Sequence, residues 1–231
     1  MPAMLRTILF LLAAALLGLA AGCMPSLPRE AAIGAQPDLS GNYYRQAQAD
    51  GVTVLRVDPA RSLLTVEVSS AGSLSALGHD HVVAARTLRG YVAPERNRAD
   101  LSVDLAQLTV DEPALRAQAG FDSQPSADAI AGTRRNMLER VLEAERFPLA
   151  AIRIERIAQR EVLRLAITLH GTTREFETPA RIEALSDGGM AVSGRMQLRQ
   201  SDFGITPYAV LGGALAVQDS LDLRFHIVAV R

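Results

Sequence analysis

Apolar and polar side chains alternate through residues 162–182. Leu163, Leu165, Ile167 and Leu169 are interleaved with Arg164, Ala166, Thr168 and His170. Past the turn His170-Gly171-Thr172-Thr173, Phe176, Thr178, Ala180 and Ile182 are interleaved with Glu175, Glu177, Pro179 and Arg181. A period of two sends successive side chains to opposite faces of a sheet. The segment therefore predicts a β-hairpin with one greasy face, reversing at Gly171. Pro179 donates no ladder bond, which predicts a bulge or an edge position there. The same alternation sets Met190, Val192, Met196 and Leu198 against Arg195, Gln197 and Arg199. It also sets Leu221, Leu223, Phe225, Ile227 and Ala229 against Asp222, Arg224 and His226. Such strands are antiparallel and wet on one side.

Earlier in the chain, residues 53–58 and 63–70 predict an opening hairpin around Asp58-Pro59-Ala60-Arg61, with Leu64, Val66 and Val68 on one face. Further strands are predicted over 82–86, 88–92, 101–105, 151–157, 215–217 and 220–230. One region departs from period two. Asp111-Glu112-Pro113 reads as a helix start with Asp111 as cap. From 127 to 145, Ile130, Met137, Leu138, Val141 and Leu142 recur at helical spacing until Phe147-Pro148 ends the run. Arg134, Arg135, Glu139, Arg140 and Glu143 form its charged face, read as solvated, with an anionic headgroup contact through Arg134 and Arg135 as the alternative. The pattern predicts an all-β fold with a helical insertion: an extended antiparallel β-barrel of about eight strands with one capping helix. The inward face is Leu165, Ile167, Leu169, Phe176, Ile182, Val192, Met196, Leu198, Leu223, Phe225 and Ile227. A barrel of that size either fills with its own side chains or encloses one small ligand.

Composition narrows the setting. The 231 residues carry a net charge of -1, too little basic character for nucleic acid as a partner. The single cysteine, Cys23, excludes an intrachain disulfide. Arg6, an apolar run over 8–19 and then Ala20-Ala21-Gly22-Cys23 follow the order of an export signal. The last four residues resemble a bacterial lipobox, whose cysteine is lipidated, so the expected divisions are a lipoprotein signal peptide over 1–22, a flexible tether over 23–50 and the barrel over 51–231. Pro25, Pro28, Gly34, Pro37 and Gly41 suit the tether. Together these place the protein in the bacterial cell envelope, membrane-anchored at Cys23 and facing the periplasm. Met24, which is not the aspartate associated with inner-membrane retention, points to the outer membrane.

Several short blocks, taken in order, resemble the YceI-like family. They are Arg56-Val57-Asp58 with Arg61-Ser62, Ala144-Glu145-Arg146-Phe147-Pro148, the run from Leu165 through His170-Gly171-Thr172-Thr173-Arg174, and Gln200-Ser201-Asp202-Phe203-Gly204-Ile205. The resemblance implies a lipocalin-like barrel, exported from the cytoplasm, whose lumen carries a long polyisoprenoid or quinone-type chain. An apolar lipid is then the partner and the only bound group expected.

Candidate chemistry clusters at Gly78-His79-Asp80-His81. On an extended segment His79 and His81 share a side, and a third ligand such as His170, His226 or a carboxylate would complete a metal site. The same imidazoles suit a lipid headgroup at a barrel mouth, and a glycine turn stabilised by Asp80 is the structural alternative. Phe203 and Tyr208 read as mouth-lining or packing residues. Ser201 has no nucleophile elbow around it, and no paired carboxylates or phosphate loop occur, so no catalytic residue is assigned.

Overall fold

The computed structural model describes residues 29–30, 37–157 and 161–231. Cys23, the export signal and tether residues 23–28 and 31–36 lie outside the described residues. Eight antiparallel strands close into a barrel in simple up-and-down order. β1 runs in two pieces, Leu55–Val57 and Leu63–Ala71. β2 is His81–Ala85 and Arg89–Ala93, and β3 is Arg98–Asp104 and Thr109–Val110. β4 to β8 are Leu149–Arg156, Val162–Leu169, Thr172–Ala184, Met190–Arg199 and Leu215–Val230. Each pairs with the next, and β8 returns to β1 through Ala229 opposite Val57 and Phe225 opposite Leu64. The predicted β5–β6 hairpin is present, with Phe176 opposite Leu165.

The expected opening hairpin is not. Both pieces of β1 lie along the same strand, β8, in the same direction, so 53–58 and 63–70 are collinear rather than folded back on each other. Asp58 accepts a hydrogen bond from the Ala60 N–H at 3.0 Å, which curls Pro59–Arg61 into one 3-10 turn. Asp-Pro chemistry that commonly reverses a chain here only bulges it. Segments 82–86 and 88–92 are likewise two halves of one stave.

Pro179 sits where β6 exchanges neighbours. Thr172 to Pro179 pair with β5, and Ala180 to Ala184 pair with β7. Among the described residues the β6–β7 ladder ends at Ala180 and Gly194, and the wall splays beyond it. The 3-10 turn Gln200–Phe203 occupies that gap, with Phe203 buried and its ring 6.0 Å from Phe176.

The insertion between β3 and β4 carries helices α2 (Pro113–Ala119) and α3 (Ala127–Asn136), the latter continuing as a π turn over Met137–Val141. Ile130, Met137 and Leu142 pack onto the core beside Leu105 and Leu108. Arg134 is not part of a solvated face: its guanidinium donates to the carbonyls of Leu108, at 2.9 Å, and Ala106, fastening α3 onto the bend between the two pieces of β3. Asp111 does not cap α2. Its backbone turns left-handed (φ 56) and its carboxylate points inward, while Glu112 takes the N-cap position without a side-chain cap bond.

One further helix, α1 (Asn42–Ala49), lies within the stretch read as tether. It docks on the outer wall. The Tyr44 hydroxyl donates to the buried Asp100 carboxylate at 2.9 Å, and its ring stacks on Tyr91 at 5.3 Å. Among the described residues no helix is long and apolar enough to cross a membrane.

Candidate functional site

The inward faces of the staves do not fill the barrel. A cavity of about 400 Å³ lies under the helical insertion, walled by aliphatic residues such as Leu64, Val66, Val83, Ile152, Ile167 and Leu223. A second compartment of about 120 Å³ continues it towards the opposite end, among Leu101, Ile154, Leu165, Val192, Phe225 and Ile227. Left empty, the larger space alone costs about 10 kcal/mol at about 24 cal/mol per Å³, which rivals the stability of a whole domain.

Ten of the eleven predicted lumen residues reach these cavities: Leu165, Ile167, Leu169, Ile182, Val192, Met196, Leu198, Leu223, Phe225 and Ile227. Phe176 does not line either one. It packs against Phe203, so Phe203 belongs to the plug in the wall rather than to the mouth.

Polar lining gathers at the end of the larger cavity. His79, His81, Ser70, Asn136, Gln200 and Tyr208 meet there, beside Leu77. Leu77 and, on the facing loop, Leu211 are exposed at 73% and 71%. The two loops are tied by the Leu74 N–H donating to the Ala214 carbonyl at 2.8 Å. Asp80 turns away and accepts from the Ser70 N–H at 2.7 Å, the turn-stabilising role.

His81 has partners that the sequence did not disclose. Its Nδ1 lies 2.6 Å from Asp111 Oδ2, and Asp111 Oδ1 accepts from the Val82 N–H at 3.0 Å and Arg116 Nη1 at 2.7 Å. Asp111 and Arg116 are both about 1% exposed. Burial pushes the Asp111 carboxyl up, but hydrogen bonds from His81, the Val82 amide and Arg116 outweigh it and hold the carboxyl below its ordinary value. Arg116 also donates to the Asp80 carbonyl at 2.6 Å and the Ser123 carbonyl at 2.8 Å, so the helix, the mouth loop and β2 are fixed together. The sequence signal that could have found Asp111 was its place at the end of β3, but the adjoining Pro113 made it read as a cap.

A metal site does not assemble. The His79 and His81 rings are 6.5 Å apart, and His81 is committed to Asp111. The proposed third ligands are engaged elsewhere: His170 Nε2 is 3.1 Å from Glu143 and His226 Nδ1 is 2.8 Å from Ser193 Oγ on the outer wall. Among the described residues no group of three or more His, Cys, Asp or Glu could hold an ion. Ser201 is bonded to Asp219 through its hydroxyl and through its backbone N–H at 2.8 Å, a structural use of the hydroxyl.

The YceI-like domain model matches residues 55–229, all eight staves and the insertion between them. The chain belongs to the YceI-like family. Two solved structures share this YceI-like fold. A polyisoprenoid binding domain from Saccharophagus degradans, implicated in plant cell wall breakdown, is similar with a TM-score of 0.54 at 13% identity, covering 78% of this chain and 98% of its own. BcnA of Burkholderia cenocepacia is similar with a TM-score of 0.51 at 13% identity, covering 74% and 98%. No match to a curated protein was found. At such identity the likeness carries the fold, and the lumen of this YceI-like chain has to be read from its own residues.

Proposed function

We propose that this YceI-like protein is an exported, lipid-anchored carrier that sequesters a long apolar chain, isoprenoid (polyprenyl or quinone-like) or acyl, in its barrel lumen without catalysing a reaction on it. The cavity of about 400 Å³ with an almost wholly aliphatic wall carries this reading. Each buried methylene of a guest returns about 0.8 kcal/mol, so a chain of a dozen carbons offsets the cost of the hollow. The polyisoprenoid-binding relative with the same fold supports the isoprenoid class. The anchor rests on Ala20-Ala21-Gly22-Cys23 behind the apolar run, with two or three acyl chains giving stable attachment where one is marginal. The outer membrane, facing the periplasm, is the expected location.

Two measurements test the reading. Protein purified without exchange of its contents and extracted with organic solvent should release an apolar chain in near-equimolar amount by mass spectrometry. Ala150→Phe, which grows a ring into the cavity, should expel it. A lipid-free extract combined with no uptake of long-chain lipids by the purified protein would overturn the carrier role. Cys23→Ser, exported behind a separately cleavable signal in place of residues 1–22, should move the protein from the membrane to the soluble fraction, and a variant still membrane-bound would overturn the anchor.

A further inference from the structure

The larger cavity is aliphatic except at one end, where a histidine is held by a buried carboxylate. Burying Asp111 and Arg116 beside an apolar cavity is costly, and fixing the α2 loop needs only those two. His81 is the additional member, and its position is set by the pair. Its Nδ1 faces Asp111 at 2.6 Å, and a carboxylate only accepts, so Nδ1 carries the proton. The remaining nitrogen, Nε2, has no hydrogen-bond partner among the described residues, while the ring lines the cavity with a side chain 16% exposed. In the neutral ring that nitrogen is an acceptor.

Neighbouring polar groups do not impose a direction. The hydroxyls of Ser70, Thr133 and Tyr208, the amide of Asn136 and the imidazole of His79 donate or accept as required, and Gln200 is committed to the Gln218 carbonyl at 2.8 Å. His81 is the group whose polarity is fixed by a buried partner.

We infer that His81, oriented by Asp111, is the hydrogen-bond acceptor for the head of the bound chain, and that the preferred guest is a long-chain alcohol ending in a free hydroxyl. This rests on the carrier reading and names the ligand class within it. A quinone or an ether presents only acceptor oxygens and leaves Nε2 unpaired. A phosphate ester brings a charge to the end of an otherwise aliphatic cavity.

The test uses the full chain, freed of its endogenous contents, and four probes of one isoprenoid chain length: the free alcohol, its methyl ether, the matching quinone and the monophosphate. Affinity is read by displacement of an apolar fluorophore. Wild type should bind the alcohol three- to tenfold more tightly than the ether and more tightly than the quinone or the phosphate. His81→Phe should erase the difference between alcohol and ether. Asp111→Asn lets the amide donate to Nδ1, moves the ring proton to Nε2 and should turn the preference towards the quinone. His81→Phe decides the matter even if Asp111→Asn does not fold. Equal binding of alcohol and ether by wild type, a preference for the phosphate, or a preference that survives His81→Phe would overturn the head-group assignment and leave the carrier reading standing. Failure to bind any of the four would overturn both.

Discussion

Asp111 is the residue whose chemistry was least legible and whose consequences are easiest to measure. It precedes Glu112-Pro113, a sequence that reads as a helix start, yet its carboxylate serves His81, the Val82 amide and Arg116. An aspartate tolerates the left-handed backbone this requires better than most residues. A carboxyl held below its unfolded value contributes stability that is complete above about pH 4 and is lost as the pH falls through the lower folded value. In Asp111→Asn that contribution is gone at every pH. The difference in unfolding free energy between wild type and Asp111→Asn should therefore shrink as the pH drops from 6 towards 2, measured by urea titration at each pH. Local sequence showed that His79 and His81 share a face. It could not show a partner thirty residues away, because a buried ion pair leaves no periodicity.

At the scale of elements, alternation located β5, β6, β7 and β8 because each is long and half-solvated. It misjudged β1 and β2 because turn-forming residues interrupt them without reversing them. Asp58-Pro59 signals a turn, and only pairing with β8 shows that the chain then continues forward. Helix Asn42–Ala49 was missed for a different reason: its residues are polar, and what holds it is Tyr44. Burial and the Asp100 carboxylate push that phenol up, so it stays a donor across the working pH range. Tyr44→Phe should cost about 1.5 kcal/mol, at the low end for a hydrogen bond to a charged group, since Arg98 and Arg153 also reach Asp100. The splayed edge between β6 and β7 makes a larger claim. Phe203→Ala opens a buried gap beside Phe176 and should cost about 3 to 5 kcal/mol in denaturant unfolding. A loss below 1 kcal/mol would show that the turn does not plug the wall.

For the whole molecule, periodicity foretold a barrel with a greasy interior but left its packing open, since the same leucines suit a filled or a hollow core. The volume is decided by stave geometry and by how far the helical insertion sinks into the end, neither of which is written in a local window. Connectivity has an effect of its own. The final stave lies between β7 and β1, so the cylinder is completed by residues synthesised 145 to 174 positions after those they touch. Circularisation follows naturally: joining Val230 to Leu55 through a short linker and opening the chain at Asp187-Gly188, without helix Asn42–Ala49, should give a permuted protein whose far-ultraviolet spectrum matches that of a linear protein begun at Leu55. Its nascent form would meet that last neighbour early instead of late, so refolding should accelerate even if the equilibrium midpoint does not move.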